Sequence, residues 1–422
     1  MDNFYFVPLY MQWTRENAMP QPNEREAWLK LALMPHIGAE TFLQLVKHFG
    51  TAADAWRAGL DDARPFLPRK QAQQAWAARR GEAERAAEAA LRWEAGEGCR
   101  LLLLCDDDFP ALLGEGMTPP PLLFLRGNAE LLRRPAAAIV GSRHATPQAE
   151  RIAHDFGRAL AQQGIAVVSG MAAGIDTAAH RGALQGAGGT IAVWGTGIDR
   201  IYPPSNKNLA YEIAEHGLIV SEFPLGTRPL AGNFPRRNRI IAALAQAVLV
   251  VEAALESGSL ITARLAAEMG REVMALPGSI DNPHSKGCHK LIKEGAKLTE
   301  SLEDILSECP QLLPNGAASS YAINKDAQRG VQTASNAKQR PSENIPAAAP
   351  TERPSEQTAA QAQTGGADAN PLLAAMGYSP VHPDALAESL GRPAADIFAE
   401  LLELELEGRV AAAAGGCYQR VG

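Results

Sequence analysis

The sequence predicts an α/β protein whose core is a mostly parallel sheet, with a helical domain before it and a small domain of helices and a hairpin after it. Three observations predict this. From about residue 100, seven short apolar runs (LLLLC, AAAIVG, AVVSG, TIAVWG, LIVSEF, AVLVVEA and EVMALPG) are mostly separated by helix-compatible segments of roughly ten to twenty residues, the alternation of a parallel sheet buried on both faces. Residues 24–95 instead place apolar side chains at helical spacing. The last fifty or so residues regain periodicity, as PLLAAM, HPDALAESLG and PAADIFAELLELELEG followed by a short β-like RVAAAAGGCYQRVG; three helices and then a hairpin is the order of a winged helix.

Residues 1–23 read as a ragged leader, because MDNFYFVPLYMQWTRENAMP has no basic region before its apolar residues and no clear cleavage site. Within 24–95, EREAWLKLALM and ETFLQLVKHFG form a helical hairpin around Pro35-His36-Ile37-Gly38, and Gly50 stops the second helix. Such hairpins can offer backbone N–H groups to a DNA phosphate, but His36 stands where a flexible glycine would help, so simple packing is the favoured role. Residues 96–310 hold the sheet. Residues 311–369 are rich in Ala, Gln, Ser, Pro and Asn and poor in large apolar residues; they cannot offset the entropy of ordering and read as a flexible linker. Residues 370–422 form the last domain.

With 422 residues the chain is too long for one core and implies about two to four domains. No run of about 18 apolar residues would span a membrane, which makes the cytoplasm the default location. Cys99, Cys105, Cys288, Cys309 and Cys417 show no paired C-x-x-C spacing, so neither a disulfide framework nor a zinc site is expected. A formal charge of −7 argues against electrostatic capture of nucleic acid by the whole molecule. The acids crowd both ends, however, and the cations gather in the middle.

In a parallel sheet, ligands sit beyond the carboxyl ends of the strands. Glycine and small hydroxyl residues cluster at those ends here: Gly141, Ser142 and Arg143 after AAAIV, Ser169 and Gly170 after AVV, and Ser257-Gly258-Ser259 after AVLVVEA, where a helix start can point free N–H groups at an anion. The arginine-rich turn FPRRNR adds Phe234, Arg236, Arg237, Asn238 and Arg239, which supply guanidinium forks, an amide and an aromatic face for phosphates and a base.

Candidate catalytic groups are weaker. Asp176 and His180, four apart, would share a helix face as an acid and base pair, but a cap and a local packing contact explain them better. Glu222 and Glu252 lack a third ligand at metal spacing; bonds to backbone N–H groups or nearby arginines are the favoured role. Neither G-x-G-x-x-G at the first helix nor G-x-x-x-x-G-K-[ST] occurs. A phosphate-friendly crevice without a nucleophile, metal set or free base favours binding over catalysis, with no metal and no cofactor.

Taken together, VGSR at 140–143, SGMAAGIDTAAH at 169–180, GTGIDRIYPPSN at 195–206, SEFPLGTRP at 221–229, FPRRNRIIAAL at 234–244, SGSLITA at 257–263, GREVMALPGS at 270–279 and KGCHKLIKEGA at 286–296 resemble the DNA-processing protein A family, also called DprA or Smf. The resemblance implies a Rossmann-like core, a helical N-terminal domain of helix-hairpin-helix or SAM-like type and a C-terminal winged-helix-like domain. It implies a cytosolic homodimer that binds single-stranded DNA, protects incoming strands during natural transformation and helps load the RecA recombinase. Arg143 matches the family's phosphate-holding arginine, and Phe234 and Asn238 match its stacking and hydrogen-bonding positions. Where the family often has a lysine, three residues before that phenylalanine, Ala231 stands here, and whether Arg228 or Arg236 takes its contact is open. The acids Asp396, Glu400, Glu403, Glu405 and Glu407 on the longest C-terminal helix would repel a duplex, so that domain is expected to contact protein or tune DNA access. The alternative is a nucleotide-processing enzyme of the Rossmann-like phosphoribohydrolase type, whose P-G-G-x-G-T signature is missing.

Overall fold

The computed structural model describes residues 22–313, 370–376, 380–413 and 416–420; residues 1–21 of the expected leader and 314–369 of the expected linker lie outside them. Two compact units make up the chain, residues 1–314 and 315–422.

The first unit begins with helices α1 (Pro22–Ala32), α2 (Ala39–Phe49), α3 (Ala52–Arg57), α4 (Leu60–Ala63), α5 (Lys70–Ala78) and α6 (Arg80–Glu94). Their apolar stripes meet around Trp28 and Phe42, whose ring centroids are 4.8 Å apart. The buried Glu24 carboxylate accepts from Ala52 N (2.6 Å) and Ala53 N (3.0 Å), satisfying two of the free donors that open α3. The turn between α1 and α2 does take a glycine-like conformation, with His36 itself at φ 64°. Trp28 Nε1 donates to Pro121 O at 2.7 Å and fastens the helices to the sheet domain.

The sheet has nine strands: β1 (Cys99–Leu103), β2 (Leu122–Gly127), β3 (Ala136–Val140), β4 (Ala166–Ser169), β5 (Thr190–Val193), β6 (Leu218–Ser221), β7 (Ala247–Val250), β8 (Glu272–Ala275) and β9 (Lys297–Leu298). Their order is β1-β2-β6-β5-β4-β3-β7-β8-β9. From β6 to β9 every pair is parallel, and β3 to β7 read as largely apolar runs because their side chains are buried in succession. β1 and β2 are antiparallel additions at one edge, and neither β2 nor the two-residue β9 was among the seven expected runs.

Helices α7 (Pro147–Gln162), α8 (Ile175–Ala183), α9 (Lys207–His216), α10 (Asn233–Leu244) and α11 (Gly258–Glu268) connect the strands from β3 to β8, and α12 (Lys286–Lys293) and α13 (Leu302–Glu308) follow. Local signals start them: Thr146 accepts from Ala149 N at 3.2 Å ahead of Pro147, and Ser257 accepts from Ser259 N at 3.3 Å. The chain runs outward through β3, β4, β5 and β6, returns to the other side of β3 as β7, and continues to β8. The sheet therefore has a switch point between β3 and β7, where the loops beyond the strands part and leave a crevice.

In the second unit, α14 (Pro371–Met376), α15 (Pro383–Leu390) and α16 (Ala394–Leu406) precede the hairpin β10 (Val410–Ala413) and β11 (Cys417–Arg420), the order of a winged helix. Leu372, Leu373, Met376, Leu386, Ile397, Leu401, Leu404 and Val410 form its core. No helix among the described residues is long and apolar enough to cross a membrane.

Candidate nucleic-acid interface

A cleft of about 470 Å³ opens at the switch point, lined by Gly141, Ser142 and Arg143 beyond β3, Ser257, Gly258 and Ser259 opening α11, and Phe234, Arg237 and Asn238 on α10. Its floor is backbone. Pairing of β3 with β7 continues past the strands through Val251 N to Val140 O (3.1 Å) and Ser142 N to Glu252 O (2.7 Å). Ser142 O then accepts from Ile175 N at 3.2 Å, which ties the loop to the start of α8. With Ser142 held on both sides, the exposed Arg143 projects from a fixed point, and its guanidinium carbon lies 5.4 Å from the centroid of the Phe234 ring.

Phe234 lies against the chain beyond β5. A Cβ on Gly195 would come within 2.8 Å of Phe234 Cδ1, so the ring sits this low only because that position has no side chain. Tyr202 also lies against it, with a centroid distance of 5.4 Å and an interplanar angle of 40°. Asn238 gives one amide donor to Gly258 O at 3.2 Å and accepts from Arg237 Nε at 3.3 Å, which links α10 to the start of α11.

Arg237 is among the lining residues but is only 4% exposed. Its guanidinium donates to Gly170 O at 2.5 Å and to Val193 O, joining the ends of β4 and β5 from α10. Burial lowers its pKa to about 10, with the charge of Asp176 opposing that shift, so it remains a cation at neutral pH. Asp176 accepts from Gly170 N (3.1 Å) and Ala172 N (3.2 Å), and burial raises its pKa against the pull of Arg237. His180 is fully buried with Nδ1 2.7 Å from the Thr190 hydroxyl, and burial, reinforced by Arg237, takes its pKa to about 3. Asp176 thus braces a loop and His180 is a neutral packing residue, so these two do not act as an acid and base pair.

Of the ten residues expected to touch a nucleic acid, the cleft gathers Gly141, Ser142, Arg143, Phe234, Arg237 and Asn238. Ser169 and Gly170 lie beneath it: the Ser169 hydroxyl donates to Ile139 O at 2.6 Å, and a Cβ on Gly170 would come within 2.5 Å of the Arg237 guanidinium. Arg236 and Arg239 lie elsewhere. The segment expected to be a turn is the first half of helix α10, so Phe234, Asn238 and Ile241 share one face while Arg236 and Arg239 project from another. There both pair with Glu222, whose side chain is 4% exposed, with Arg236 Nε 3.4 Å from one carboxylate oxygen and Arg239 on the other. They line a separate cleft of about 500 Å³ together with His36 and Arg69 of the helical domain. Glu252 accepts from Thr146 N at 2.9 Å and from Asn282 at 3.3 Å. Both glutamates are therefore occupied as the residue types and spacing implied, and among the described residues no cluster of three or more His, Cys, Asp or Glu could hold a metal.

Sequence reasoning missed Tyr202, His144 and His284. His144 and His284 line the cleft, while Tyr202 flanks its phenylalanine. For Tyr202 the signal was an aromatic residue in the loop after a buried strand.

A family model described as DNA recombination-mediator protein A matches residues 100–310. A DprA-like N-terminal HHH domain matches 22–89, and a DprA winged helix domain matches 349–416. Protein Smf of Escherichia coli is 39% identical over 333 residues, 78% of this chain and 79% of that protein. DNA processing protein DprA of Streptococcus pneumoniae is 49% identical over 205 residues, 49% of this chain and 72% of that protein. The X-ray structure of DNA processing protein A from Streptococcus pneumoniae superposes with a TM-score of 0.59 at 39% identity, over 69% of this chain and 99% of that one. With matches across its helical, sheet and winged-helix parts, this chain belongs to the DNA-processing protein A family, DprA/Smf.

Proposed function

We propose that this protein is a non-enzymatic recombination mediator that binds single-stranded DNA without sequence preference at the switch-point cleft. Its further roles on this reading are to protect the strand, to help load RecA during natural transformation, and to act as a cytoplasmic homodimer. The observation that carries the binding reading is the pairing of Arg143 with the half-open Phe234 ring on a floor of glycine and serine backbone. A guanidinium fork holds a phosphate, and an aromatic face accepts any base, because every base has a π face. Asn238, with one amide hydrogen still free, adds a hydrogen bond to a base edge or sugar. Ser169, Gly170 and Arg237 act from below by fixing the loops. The enzyme reading has less support, since Asp176, His180, Glu222 and Glu252 are each committed to structural bonds. The names of the relatives, DNA processing and DNA recombination mediation, point the same way.

The test is a titration of single-stranded DNA across salt with the wild type and Arg143→Ala. Counterion release predicts a steep loss of affinity with salt and a slope shallower by about 1 in the variant. Unchanged binding by Arg143→Ala would remove the cleft from the reading.

A further inference from the structure

Tyr202 is a large aromatic residue left 40% exposed in a loop that has no need of it as an anchor, because Trp194 and Ile198 of the same loop are already buried at 4% and 1%. Its ring lies 5.4 Å from Phe234 at an angle of 40°, within the contact range of about 4.5–7 Å for aromatic pairs. A base inserted between the two rings would need about 7 Å, two contacts of roughly 3.5 Å each. The rings therefore offer one continuous, angled surface and not a slot. Arg143 lies against Phe234 as well, so flat groups from the end of β3, the start of α10 and the loop after β5 meet at one ring.

We propose that Tyr202 is a second stacking platform of the single-strand site, taking the base next to the one on Phe234, so that the site holds two consecutive unpaired bases. This rests on the reading of the cleft as a single-strand site. Two rings inclined at 40° accept neighbouring bases only when those bases have left each other's faces, which a single strand allows and a paired, stacked duplex does not. The contribution comes from the ring and not the hydroxyl.

The test uses the full chain, a short oligothymidine and the same strand carrying abasic sites. Tyr202→Leu is expected to bind oligothymidine about tenfold more weakly, with an unchanged salt slope and no further loss on the abasic strand. Tyr202→Phe and Tyr202→Trp, which keep a ring, are expected to bind like the wild type, and the added tryptophan is quenched as strand is added. Should the leucine variant fail to fold, that quench decides alone, and its absence overturns the platform. Wild-type affinity in Tyr202→Leu, alongside a loss in Arg143→Ala, overturns the platform and leaves the cleft reading standing. So does an equal loss in Tyr202→Phe, or an equal loss on the abasic strand. Wild-type binding by both Tyr202→Leu and Arg143→Ala ends both.

Discussion

Arg237 carries its charge into a place closed to solvent and spends it on two carbonyl oxygens, Gly170 O and Val193 O, with Asp176 as counter-charge. Removing one member of such a buried set leaves the others unpaired, so Arg237→Ala should cost about 3–5 kcal/mol of stability, read as a lowered thermal midpoint. Gly170→Ala should destabilise as well, because the new methyl would meet the guanidinium. The exposed Arg143→Ala should stay within about 0.5 kcal/mol of the wild type and lose affinity instead. His180 adds a pH dependence. Burial holds its pKa at about 3 against an ordinary 6.5, so between those values the unfolded chain takes up a proton that the folded chain refuses. Its contribution is complete above the ordinary value and falls with falling pH, by about 1.4 kcal/mol per unit. Denaturation of the wild type and His180→Gln from about pH 7 to about pH 5 should show a slope smaller by one proton in the variant.

Helix α10 acts as a divider, with a ring and an amide toward the cleft and two cations toward Glu222. Arg239→Ala should therefore lower the thermal midpoint, by leaving a buried carboxylate short of its partner, while the salt slope of strand binding stays that of the wild type. An altered slope would place Arg239 on the strand after all. This division was hidden in the sequence because FPRRNR reads equally well as a turn, where neighbours in sequence act together, or as a helix, where residues two apart point away from each other. The central parallel strands β3 to β7 were legible because burial on both faces makes them largely apolar runs. β2 was missed although LLFL opens it as such a run, because it pairs antiparallel with β1 with only a short 3-10 turn between them and so breaks the alternation that identified the others. β9 carries two exposed residues and gives no apolar signal. Arg143 was legible from its strand end, and Phe234 and Asn238 from their residue types beside arginines; an aromatic in the loop after β5 was too weak a signal for Tyr202 until its distance from Phe234 gave it meaning.

At the scale of the whole chain, the cleft is built entirely by residues of the first unit, while α16 of the second carries exposed Asp396 and Glu403, with exposed Glu407 just past its end. A chain ending after residue 313 should keep the single-strand affinity and salt slope of the full protein, and the segment 371–422 alone should bind duplex DNA only weakly at physiological salt, since its acids repel phosphate. Tight duplex binding by that segment would refute this division of labour. The opening between β3 and β7 exists because the chain reverses direction across the sheet, so its width is a matter of routing and not of any side chain that borders it. Exchanging an exposed side chain on its rim, such as Arg143, would change what the opening holds without closing it, while the buried residues beneath keep the foundations in place.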